Sequence, residues 1–173
     1  SSGAIAVRTA NAGDAGVSGV LSFSSGTASV GTSGAIVLGT GSATKGKGGD
    51  ISLSVGSGDL AAGGDVTLSA GESTTDTGGG IWVSAGLGTA TSSGAIAIRT
   101  ANAGANGVSG VLSFSSGTTT EGTSGAIVVG TGSANKGKGG DISVSVGSGN
   151  LAVGGDVTLS AGESTTDTGG GIW

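Results

Sequence analysis

Residues 92 to 173 repeat residues 1 to 82 at a constant offset of 91, with 71 of the 82 positions identical and no gap. A fixed period of this kind decides architecture before any local propensity does. Most of the eleven differences keep size and character, such as Val7/Ile98, Leu38/Val129, Asp59/Asn150 and Ala62/Val153. Inside the long repeat runs a shorter one, marked by Gly3, Gly19, Gly34, Gly49, Gly64, Gly79 and Gly94, which stand 16 residues apart at the first step and 15 thereafter.

Two positions after these glycines come Ile5, Leu21, Ile36, Ile51, Val66 and Ile81, and four positions after come Val7, Phe23, Leu38, Leu53, Leu68 and Val83. Small or polar residues such as Ser22, Ser52, Ser54, Thr67 and Ser69 lie between them and just beyond. Alternation with period two is the pattern of a strand with one apolar face. The sixth position is small or β-branched (Thr9, Ser25, Thr40, Val55, Ala70, Ala85), and glycine usually follows. A helix is opposed by the glycines, by the β-branched residues and by the lack of an apolar stripe at helical spacing.

The pattern predicts an all-β chain, a parallel β-solenoid with coils of about 15 residues and six coils per 91-residue unit. Residues 1-91 form one such unit and 92-173 a second, truncated one. Coils of this type stack at about 4.8 Å, the spacing of paired strands. Ile5, Leu21, Ile36, Ile51, Val66 and Ile81 are then expected in one buried column, faced by a column of small residues that includes Ala12, Ala28, Ala43 and Gly58. Trp173 corresponds to Trp82 in mid-strand, and the outermost coils resemble the inner ones, so a longer array is expected, because solenoid ends need caps.

Composition bears on function mainly by exclusion. The chain has 42 Gly among 173 residues, four aromatic residues (Phe23, Trp82, Phe114, Trp173), and neither His nor Cys. Ser-His-Asp and Cys-His catalysis are therefore excluded, and the commonest zinc ligands are missing. Six basic and eleven acidic residues give a net charge of −5, which opposes a nucleic-acid partner. No segment is apolar enough to suggest membrane insertion. Gly56-Ser57-Gly58-Asp59-Leu60-Ala61 mimics a dinucleotide fingerprint, but no helix is expected after it.

Asp50 and Asp65, with their copies Asp141 and Asp156, would stand on adjacent coils about one strand spacing apart. Calcium is one counter-ion for such a ladder, although the G-G-x-G-x-D pattern of calcium-binding β-rolls is missing; Lys45 and Lys47 nearby are the simpler one. No catalytic, cofactor-binding or metal-ligating residue is assigned. An ice-binding face of regular Thr is interrupted by Arg8, Val37, Gly39 and Trp82. Trp82 sits in an outward column whose other members include Ala6, Ser22, Val37, Ser52 and Thr67, and is read either as a contact point for another copy or a polysaccharide, or as a ring folded down over small neighbours.

Ser33-Gly34-Ala35-Ile36, Gly48-Gly49-Asp50-Ile51-Ser52-Leu53-Ser54 and Gly63-Gly64-Asp65-Val66-Thr67-Leu68-Ser69 resemble the long Gly/Ser/Thr-rich repeats of marine microalgal cell-surface proteins. More broadly they are similar to adhesin-like and ice-binding β-solenoids. The resemblance implies an extracellular or cell-surface structural protein, not an enzyme: a filament, coat or adhesive rod whose main partner is itself, with cell-surface polysaccharide as a second. An adhesin-type stalk and an ice-binding solenoid are the alternatives.

Overall fold

Glycine-led repeats make their mark as turns. In the computed structural model, which describes residues 2–173, the backbone turns at 14–15, 29–31, 44–46, 59–61 and 74–76 within the unit Ser1–Val83. Within the unit Ser84–Trp173 it turns at 89–91, 105–106, 120–122, 135–137, 150–152 and 165–167. The fifteen-residue period therefore appears as a regular series of direction changes in each unit.

Each turn is the tip of a pinched loop. The residue at the sixth position approaches the glycine nine residues later, which opens the next repeat. A Cβ on Gly64 would lie only 2.8 Å from Val55 Cγ1, and one on Gly49 would lie 3.1 Å from Thr40 Cβ. At these two necks the approach leaves little room for a side chain on the glycine. Backbone bonds close it: Gly64 N–H donates to Gly56 O at 3.3 Å and Gly79 N–H to Gly71 O at 2.9 Å, and in the other unit Gly94, Gly155 and Gly170 donate to Gly86, Gly147 and Gly162. Where Thr occupies the sixth position its hydroxyl adds a bond, from Thr40 Oγ1 to Gly49 O at 3.0 Å and from Thr131 Oγ1 to Gly140 O at 3.1 Å. Loops of this length with adjoining ends resemble small Ω-loops.

The predicted β-solenoid is not formed. Among the described residues there is no strand and no helix, and hence no helix long and apolar enough to cross a membrane. Stacked coils require hydrogen bonds between residues fifteen apart. The seven backbone bonds outside regular elements among the described residues instead join residues three or eight apart. Five repeats close their own necks in this way, and among the described residues no continuous ladder runs from one repeat to the next. Folded proteins make roughly one internal hydrogen bond per residue; this backbone falls far below that and leaves most of its polar groups to water.

The expected buried column is absent as well. Its members range from 49% exposed at Leu21 to 94% at Ile5, and no described residue is buried. Among the described residues only Thr9, Gly88 and Ala161 are partly sheltered. A compact protein of 15.5 kDa exposes about 7,200 Å² and its unfolded chain about 22,500 Å²; this chain exposes 17005 Å². The Ala/Gly column therefore has no interior to line. Alternation survives only as a gradient, with Ile51, Val66 and Ile81 about half-exposed while Val37 and Trp82, one position further along their repeats, are almost fully so. It is a coil-like chain of low regular structure.

Candidate interaction surface

With no interior, any function rests on side chains presented to solvent at repeated positions. One such place lies in the 16-residue first repeat of each unit. Arg8, Thr9, Ala10 and Asn11 line a concavity in the first unit, and Arg99, Thr100, Ala101 and Asn102 line one in the second. The added residue lets the chain make a true β-turn, in which Gly16 N–H donates to Gly13 O at 3.1 Å. It then returns so that Gly19 faces Thr9, where a Cβ would meet the threonine Cγ2 at 3.4 Å. In the second unit Gly107 N–H donates to Gly104 O at 3.0 Å, and Gly110 faces Thr100 in the same way, at 3.5 Å. In the sequence Arg8 stands out only as an interruption of a Thr-lined face. The signal was present in the 16-residue spacing and in the pair Gly13 and Gly16.

The four aspartates do not form the expected ladder. Lys47 Nζ donates to Asp50 Oδ2 at 2.7 Å, and Lys138 Nζ to Asp141 Oδ2 at 2.6 Å. The strand-paired coils that were to set Asp50 beside Asp65 are absent, and no group of three or more metal-ligating side chains gathers among the described residues. The aspartate three residues on instead takes its own lysine. Both partners remain largely exposed, a setting in which ion pairs contribute little to stability.

The acidic loop 71–79 is ordered from within. Ser73 Oγ accepts the Asp76 N–H at 3.0 Å and Asp76 Oδ1 accepts the Thr77 N–H at 2.7 Å. Its copy repeats this, with Ser164 Oγ accepting from Asp167 at 2.9 Å and Asp167 Oδ1 from Thr168 at 2.7 Å. Such side-chain turns are the local habit of Ser and Asp. Glu72 and Glu163 take no part in these bonds.

Trp82 is 93% exposed. Its ring lies back over Gly80, and Trp173 lies likewise over Gly171. The ring does fold over a small neighbour, as one expectation had it, but it shields no ladder, because none is formed among the described residues.

Comparison with protein-family models, with curated proteins and with solved structures gives no match.

Proposed function

We propose that the chain is a repeat segment of a structural protein of the cell exterior, one that works by associating with further copies of itself into a filament or coat. One observation supports this reading above the others. The large apolar side chains all stand exposed, and those of residues 1–82, Val30 apart, have an apolar counterpart 91 residues on. Soluble monomers seldom leave so much apolar surface uncovered, and a regular array of it suits a regular array of partners. A homopolymer supplies such a partner at the matching period, and many weak contacts in register add up to firm association.

The composition agrees with a structural role, since a chain without His or Cys cannot assemble Ser-His-Asp or Cys-His catalytic machinery. Placement outside the cell rests on the resemblance to algal surface repeats. Sedimentation of the chain over a range of concentrations, with electron microscopy of the native material, tests the reading. Concentration-dependent growth and filaments or sheets are expected. A chain that stays monomeric at every concentration and salt, and native material without ordered assemblies, overturns it.

A further inference from the structure

Most charged side chains of this protein find no ion-pair partner among its described residues. Two of the six basic residues, Lys47 and Lys138, pair with two of the eleven acidic ones, so among the described residues four basic and nine acidic side chains have no ion-pair partner. Arg8 and Arg99 are among the four, and each is the one arginine of its unit, set in the concavity beside an asparagine. The nearest acid along the chain from Arg8 is Asp14. It forms no ion pair with Arg8, and Ala105 stands at its position in the second unit. The same four residue types line the concavity in both units, with no carboxylate among them.

We propose that the Arg8 and Arg99 concavities each receive a carboxylate from a second copy of this chain, and that Glu72 and Glu163 supply it. The proposal rests on the self-association put forward above and names the contact that would set its register. A guanidinium offers a planar fork of donors matched to a carboxylate, and the side-chain amide of Asn11 or Asn102 adds a further donor beside it. A polyanion such as nucleic acid is disfavoured by the net charge of −5. A second copy brings surplus acids together with its own arginines, so the contact is reciprocal.

Three acids without a lysine occur in both units: Asp65, Glu72 and Asp76, with their copies. Asp76 is tied to the Thr77 N–H. Glu72 has the longer reach of the remaining two and stands at the start of a loop that is identical in both units and ordered by Ser73 and Asp76. Two such contacts per chain, recurring with the 91-residue period, favour alignment of copies in register.

The test is a charge swap on the full chain, followed by sedimentation at low salt with circular dichroism as the structural control. Arg8→Glu with Arg99→Glu in one chain, and Glu72→Arg with Glu163→Arg in another, should each raise the concentration needed for association by about tenfold or more. Mixing the two variants should restore it. Arg8→Lys with Arg99→Lys should weaken it less, since the charge stays and the fork is lost. Association of wild type with no loss in the arginine variants, or no rescue on mixing, overturns the contact while self-association stands. A wild-type chain that never associates overturns both. If the arginine variants associate normally but lose only their retention on a carboxylated polysaccharide such as alginate, the concavity belongs to a polysaccharide and the second-copy assignment is wrong.

Discussion

The indole of Trp82 lies across the bare backbone of Gly80, where a Cβ would come within 3.1 Å of the ring nitrogen. Trp173 repeats the arrangement over Gly171, where a Cβ would meet Nε1 at 3.1 Å. Glycine at the second position before the tryptophan thus gives one ring face a seat and leaves the rest in water.

Gly80→Ala together with Gly171→Ala should move both rings by a few tenths of an ångström at little cost, because the far end of a flexible side chain is what must yield. Tryptophan emission is the readout, these being the chain's only two indoles. Quenching by acrylamide should be nearly as efficient as for free indole in dilute wild type and slightly more so in the variant, with circular dichroism unchanged. Blue-shifted, quench-resistant emission from the dilute chain would contradict the exposure described for Trp82.

Gly58 presents the opposite case. A Cβ there would fall on the carbonyl oxygens of Ala61 and Ala62, which are backbone and do not swing aside. Gly58→Ala should therefore open the 56–64 loop and break the bond from Gly64 N–H to Gly56 O, an interaction contributing about 0.5–1.5 kcal/mol. Gly56→Ala, which meets open space, serves as the control. Amide temperature coefficients measured by NMR should show Gly64 losing its protection in the first variant and keeping it in the second.

The turns were legible and the strands were not, for a physical reason visible at Val55 and Gly64. Glycine spacing marks where a backbone can double back, and the chain does turn once per fifteen residues. Alternation in Ile51-Ser52-Leu53-Ser54 says that a segment has two unlike sides; it does not say what pairs with its edges. A loop closed between residues eight apart satisfies the glycine amides locally, and the longer-range ladder then has less to gain against the entropy of ordering so many glycines. The lysine beside Asp50 was likewise within reach of the sequence, being three residues away, whereas the Arg8 concavity depended on how Gly13 to Gly16 turns.

A dilute solution of the chain should show a coil-type far-ultraviolet circular dichroism spectrum without helix or sheet bands. Amide exchange should be fast almost everywhere, with slowing confined to donors such as Gly16, Gly79 and Gly94. A sheet spectrum with broad protection across 49–55 and 64–70 would contradict the absence of strands.

Leu53→Asp separates the two pictures of the repeat most sharply. In a dry apolar column an unpaired carboxylate would carry a desolvation cost large enough to undo the fold. Here Leu53 is 80% exposed, so the new charge stays in water and the loss is that of a few weak apolar contacts. Surface substitutions of this kind usually stay within about 0.5 kcal/mol. The variant should therefore match wild type in circular dichroism and in the amide protection of Gly64 while dilute. At high concentration its association should weaken, because Leu53 is one of the apolar side chains offered to a neighbouring copy. Loss of the Gly64 protection in the dilute variant would show that Leu53 has a structural neighbour, and the description of this position as exposed would then be wrong.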